Sequence, residues 1–190
     1  MEENPVDAHY DMDDFTKVIV SENEISRKLD ELGEQIRADY EGRDVLLVGV
    51  LKGAVMVMAD LARRMPPSFQ MDWMAVSSYG SGTKSSGVVR ILKDLDTDLT
   101  GRDVLIVEDV IDSGITLHWL LGNLRSRGAA SVEVMSLLRK PDAVQVELDV
   151  KYVGFDIPSD FVVGYGLDFA EKYRTLPFVA ILKPEVYQGD

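Results

Sequence analysis

Residues 107–117 read VEDVIDSGITL. Just before them, Val104-Leu105-Ile106-Val107 is an unbroken apolar run, the pattern of a parallel strand buried on both faces. The strand is expected to end in two adjacent acids, Glu108 and Asp109. Asp112 then opens a turn, and Ser113, Gly114, Ile115 and Thr116 lead into a helix expected over Thr116 to Arg127. In an open parallel sheet, ligands bind at the carboxyl ends of the strands. A turn of small residues entering a helix offers backbone N–H groups and two hydroxyls to an anion. The acids would repel a bare phosphate. They make sense if they meet sugar hydroxyls or a magnesium ion carried by the ligand. The stretch therefore asks for a molecule with a phosphate at one end and a diol beside it. Two capping-type acids would suit a plain helix cap; three acids around a Ser-Gly-x-Thr turn fit it poorly.

Working outward, the same grammar repeats. Ser21 followed by Glu24 is a capping-box pattern. Ile25, Leu29, Leu32 and Ile36 recur at helical spacing, so residues 22–40 are expected as an amphipathic helix stopped at Gly42. Val45 to Leu51 is a second buried run, followed by a helix over 54–65 that Pro66-Pro67 closes. Strands are expected at Met71 to Ser77, at Val88 to Leu92 and at Ser131 to Leu138. Strand, helix, strand, helix, strand implies right-handed crossovers and a parallel sheet. Beyond Lys140 the chain turns to short strands, at 150–155, 161–165 and 177–182, expected as a small lobe over one end of the sheet.

Composition sets the outer bounds. The chain has 190 residues, 20 Lys+Arg and 33 Asp+Glu, for a net charge of −13. That length suits one domain able to bury a core without staples. No cysteine is present, so a disulfide scaffold, a thiolate metal site and a cysteine nucleophile are excluded. The acidic balance argues against nucleic-acid binding and against docking on anionic membranes. The start, MEENPVDAHYDMDD, carries six acids and no Lys or Arg, the reverse of a signal peptide, and no apolar run is long enough to span a bilayer. The expected setting is the cytoplasm. Residues 80–87, GSGTKSSG, faintly resemble a dinucleotide fingerprint but lack its last Gly and precede a strand, so that reading is rejected. His9 and His118 have no ligand spacing for zinc.

VEDVIDSGITL resembles the phosphoribosyl-pyrophosphate motif of type I phosphoribosyltransferases, and the likeness runs from about Val18 to Ile181. It implies an α/β fold with a central, mostly parallel sheet flanked by helices and a small C-terminal hood. One domain over 1–190 would comprise a core of about 18–138, a hood of about 139–182 and a flexible lid of about 78–90. The resemblance implies that Glu108 and Asp109 hold ribose hydroxyls, that Ser113, Gly114, Ile115 and Thr116 wrap the 5′-phosphate, and that Asp112 manages a proton on the purine. Leu51-Lys52-Gly53-Ala54 resembles the pyrophosphate loop of hypoxanthine-guanine members, whose Leu-Lys peptide is often cis. Ser78 and Tyr79 would close over the pyrophosphate, excluding water from an activated ribosyl centre. Lys140 would reach the base O6, Phe161 would stack on the base, and Val162 would meet it through backbone. Asp168 would help Glu108 and Asp109 hold magnesium and lie near the purine 2-position, and Arg174 would reach the pyrophosphate.

Departures from the pattern are small: Ala54 stands where many members carry Gly, and Ser113 and Ile115 where others use Thr and Lys. The implied partners are 5-phosphoribosyl-1-pyrophosphate and a 6-oxopurine in a homodimer or homotetramer, with no nucleic acid and no membrane. A xanthine-preferring transferase and a nucleotide-sensing regulator on the same fold stay open. The regulator would need a basic face, which an acidic chain lacks.

Overall fold

The computed structural model describes residues 12–78 and 89–188. Its largest feature is a six-stranded sheet built from β2 (Val45–Leu51), β3 (Gln70–Ser78), β4 (Val89–Lys93), β5 (Asp103–Ile111), β6 (Ser131–Arg139) and β7 (Tyr152–Asp156), in the order β4-β3-β2-β5-β6-β7. All neighbours run parallel except β3 and β4. The apolar runs fill this sheet as expected of strands covered on both faces. Val45 and Leu47 of β2, with Leu105 and Val107 of β5, face one core. That core is filled by Ile25, Leu29, Leu32 and Ile36 of α1 (Glu22–Asp39) and by Val57, Met58 and Leu61 of α2 (Val55–Ala62). Leu46, Val48, Val104 and Ile106 face the other core, under Leu117, Leu120, Leu121 and Leu124 of α3 (Ile115–Arg125).

The capping box at the start of α1 forms as read. The Glu24 N–H donates to Ser21 Oγ at 3.3 Å and the Ser21 N–H to Glu24 Oε2 at 2.8 Å. The helix ends at Asp39, with Tyr40 as its C-cap, and Gly42 supplies the positive φ of the turn that follows. The helix expected over 54–65 is shorter, at Val55–Ala62, and α3 begins one residue early, at Ile115.

Two expectations change. The strand before the acidic pair does not end there: β5 continues through Glu108 and Asp109 to Ile111, because β6 keeps pairing with it at Glu108↔Ser136, Val110↔Leu138 and Ile111↔Arg139. The segment expected at 150–155 does not join the small lobe. As β7 it extends the large sheet beside β6, and Tyr152 Oη is tied to Asp39 of α1 at 2.6 Å.

The lobe is a separate antiparallel sheet, ordered β1-β9-β8, from β1 (Phe15–Val20), β8 (Val162–Val163) and β9 (Val179–Leu182). Its own small core holds Phe15, Val163, Leu176, Phe178, Ala180 and Leu182. β1 has no counterpart in the sequence reading, since its partner lies some 160 residues away. After β9 comes a single helical turn, α4 (Pro184–Tyr187).

The topology places the site. From β2 the chain crosses through α2 to β3 on one side; from the adjacent β5 it crosses through α3 to β6 on the other. Between β2 and β5 the winding reverses, and a crevice opens at their carboxyl ends.

Candidate active site

Two loops meet at that crevice. β2 ends at Leu51, joined to Lys52 by a cis peptide bond, and Gly53 and Ala54 lead into α2. β5 ends at Ile111, and Asp112, Ser113 and Gly114 lead into α3. Gly114 takes φ +77°, and a Cβ there would lie 2.5 Å from Leu148 Cδ1. Among the described residues no side chain caps the α3 N-terminus, which leaves its first N–H groups for an anion at the recess beside it. The recess has a volume of about 280 Å³ and is lined by Glu108, Asp112, Ser113, Gly114 and Thr116, with Val50, Val76 and Val110 among its apolar walls.

Gly53 has a reason that spacing alone did not reveal. A Cβ on it would fall 1.7 Å from Asp109 Oδ2. Gly166, at φ +101°, stacks on the far side, where a Cβ would lie 2.0 Å from the Gly53 carbonyl oxygen. Asp109, Gly53 and Gly166 thus form a pile with no room for a side chain, joining the two sheets at the site. Arg174 fastens the lobe to this pile: its Nη1 donates to the Gly166 carbonyl at 2.7 Å, and the Gly166 N–H donates back to the Arg174 carbonyl at 2.9 Å.

The two adjacent acids sit in surroundings hostile to charge. Burial holds the Glu108 carboxyl well above the usual carboxylate range, and the neighbouring Asp109 charge adds to the effect. Burial also lifts Asp109 to about 6, assisted by Asp168 and opposed by the Val110 and Asp109 backbone N–H groups and by the Arg174 guanidinium. Buried, repelling carboxylates are poised to accept hydroxyl donors or a cation. Among the described residues no three His, Cys, Asp or Glu side chains are placed to hold a metal by themselves. The expected set of Glu108, Asp109 and Asp168 is therefore not a closed cage. What remains is an oxygen-donor pair, Asp109 and Asp168, close enough for one charge to act on the other. This fits magnesium, which takes one or two carboxylates and completes its shell with water and substrate phosphates.

Around the acids the cations are held in check. Lys140 follows β6, is buried, and its Nζ lies 3.0 Å from Asp112 Oδ2; its N–H donates to the Ile111 carbonyl at 2.9 Å. The expected base-reading Lys and the expected proton-handling Asp are therefore neighbours. Arg174 Nη2 is 2.8 Å from Asp168 Oδ1, and Arg174 Nε is buried with no hydrogen-bond partner among the described residues. Lys52, in contrast, projects into solvent and pairs with Glu171 at 2.8 Å. Glu171 also lies 3.4 Å from Arg174 Nη2, and its N–H donates to Asp168 Oδ2 at 2.9 Å. One carboxylate thus bridges the two cations expected to meet pyrophosphate. The sequence reading missed Glu171: an exposed acid in EKYRTL has no local signature, and only the fold brings it to Lys52. Gly166 was missed too, although the glycines of GYG hinted at close packing.

Phe161 precedes β8, 39% exposed, and Val162 is buried in that strand beside Ile181. Ser78 is the last residue of β3. Tyr79 and most of the expected lid lie outside the described residues.

With this geometry in view, the comparisons with known proteins give the class. Residues 17–170 match the phosphoribosyl transferase domain, and the chain belongs to that family. Among its relatives, the hypoxanthine-guanine phosphoribosyltransferase of Mycobacterium tuberculosis strain H37Rv is 58% identical over 181 residues, 92% of this chain and 90% of that protein. The enzyme of the same name from Bacillus subtilis strain 168 is 50% identical, over 93% of this chain and 98% of its own length. A crystal structure of a hypoxanthine phosphoribosyltransferase from Staphylococcus aureus superposes with a TM-score of 0.89 at 45% identity, covering 92% of this chain and 95% of that one.

Proposed function

We propose that this chain is a purine-salvage phosphoribosyltransferase that joins hypoxanthine or guanine to 5-phosphoribosyl-1-pyrophosphate, giving IMP or GMP and pyrophosphate. The observation that carries the choice of base is the buried Lys140, 3.0 Å from Asp112 at the edge of the phosphate recess. An ammonium donates and cannot accept. It therefore pairs with a keto O6 and disfavours the amino group of adenine.

The residues divide the work as follows. Backbone N–H groups of Ser113 to Thr116 and the hydroxyls of Ser113 and Thr116 bind the 5′-phosphate at the start of α3. Glu108 and Asp109 accept from the ribose hydroxyls and fix the sugar in line. Phe161 stacks on the base, and Val162 meets it through backbone. Asp112 takes the proton that the attacking purine nitrogen gives up as the bond to the anomeric carbon forms and the bond to pyrophosphate breaks. Lys52, the Gly53 amide and Arg174 bind the departing pyrophosphate, and Ser78 and Tyr79 close over it. Asp109 and Asp168, with Glu108 behind them, would hold magnesium, which when bound supplies positive charge to the diphosphate.

The acidic chain is thereby consistent with a phosphate substrate: backbone amides and a few fixed cations meet the anion, while the site acids meet hydroxyls, a proton and a cation. We further infer cytoplasmic activity as a homo-oligomer; no helix among the described residues is long and apolar enough to cross a membrane. The test is product analysis with 5-phosphoribosyl-1-pyrophosphate, magnesium and a panel of hypoxanthine, guanine, xanthine and adenine. Hypoxanthine and guanine should be converted and adenine spared; adenine as the best substrate would overturn the reading.

A further inference from the structure

Phe161 carries an apolar ring at the surface of a very acidic protein, and its environment is uneven. Tyr187 lies parallel to it, with ring centroids 4.9 Å apart and planes 23° from coplanar. Phe169 meets it edge-on at 5.9 Å and 89°. Both partners pack against the small core of the lobe. Phe161 nonetheless keeps 39% of its surface exposed, so these contacts leave part of it open. Backbone fixes the rest of the arrangement. The Leu182 N–H donates to the Phe161 carbonyl at 2.9 Å, and the Lys183 N–H donates to the Asp14 carbonyl at 2.9 Å just before α4. The turn that carries Tyr187 is therefore anchored to both strands that flank it.

We propose that Tyr187 is a positioning residue for the purine. It clamps the plane of the Phe161 ring, so that the open part is presented to the base as a fixed platform. The inference rests on the reading that Phe161 meets the base. An unsupported Phe rotates among rotamers, and a base that must first order the ring loses affinity. Tyr187 lies beyond the stretch that resembles the phosphoribosyltransferase pattern, and no chemistry of the reaction requires it. Its contribution should appear in base binding and not in the handling of 5-phosphoribosyl-1-pyrophosphate.

The experiment uses the full-length enzyme and four variants: Y187L, which keeps apolar volume but removes the flat ring, Y187F, F161A and the double variant F161A/Y187L. An aromatic pair of this geometry is worth about 3- to 10-fold in a binding constant. Y187L should raise KM for hypoxanthine and guanine by about that factor, with a smaller change in kcat and no change in Kd for 5-phosphoribosyl-1-pyrophosphate. Y187F should restore the base KM. In the F161A background, Y187L should add nothing, because the platform is already gone. The proposal is overturned if Y187L leaves the base KM unchanged or lowers it, if it weakens both substrates alike, or if its effect persists undiminished in F161A. If F161A itself leaves the base KM unchanged, the assignment of Phe161 to the base fails instead, which keeps the two claims apart.

Discussion

Replacing Asp109 by Asn should make the ligand-free protein more stable, by an amount set by pH. Folding moves the Asp109 carboxyl from its ordinary value of 3.8 to about 6, chiefly through burial. The folded state then binds a proton over a pH range where the unfolded state has released it. This group's contribution is therefore neutral below about pH 4, turns increasingly unfavourable as pH rises through 4 to 6, and stays unfavourable above. At about 1.4 kcal/mol per unit, the shift amounts to about 3 kcal/mol at neutral pH. Asn keeps the size and can still accept from the Val110 N–H, which now donates to Asp109 Oδ1 at 2.8 Å. It also removes the neighbouring charge that adds to burial in raising the Glu108 carboxyl, a further effect of the same sign. Urea unfolding of the two proteins at pH 4.5 and at pH 7.5 tests this. The gain from D109N should be about 1 kcal/mol at the lower pH and about 3 kcal/mol at the higher. Transferase activity should fall by two orders of magnitude or more, since the ribose loses an ionised acceptor. A stability difference that is absent at pH 7.5, or that does not change with pH, would refute the view that the acidic pair is held against its own repulsion for the sake of the substrate.

Two other substitutions probe the neighbouring parts. G53A would place a methyl 1.7 Å from Asp109 Oδ2, a clash relieved only by moving the carboxylate or the pyrophosphate loop. Its kcat/KM should drop at least 100-fold with a modest fall in Tm, and wild-type kinetics would mean that the pile of Asp109, Gly53 and Gly166 yields easily. E171Q removes the carboxylate that bridges Lys52 and Arg174. Because that pair is exposed and screened, pyrophosphate should bind only about 2- to 5-fold more tightly in calorimetry, and weaker binding would show instead that Glu171 assists the anion.

How much of this was legible beforehand differs element by element. The capping box at Ser21 and Glu24, the helical spacing of Ile25 to Ile36 and the apolar runs 45–51 and 104–107 each carry their meaning within a few residues, so they could be read directly. The phosphate turn at 112–116 is equally local. Where β5 ends was not: Glu108 and Asp109 look like a terminus, and only the continued ladder with β6 keeps them in the strand. The segment 152–156 resembled the short strands that follow it, and its place in the large sheet depends on β6 being free to receive it.

The amino-acid sequence alone carried the parallel α/β core, the strand that bears the acids, the turn that opens α3 and the family resemblance, which implies the site residues. All of these rest on periodicity and motif, which are properties of neighbouring residues. Tertiary structure decided the rest. It paired β1 with β9 across most of the chain, and pressed Asp109 against Gly53 and Gly53 against Gly166. It brought Glu171 to Lys52, Lys140 to Asp112 and Tyr187 behind Phe161. Each of these joins residues from distant segments, where charge, packing volume and ring geometry act across space and leave no periodic trace along the chain.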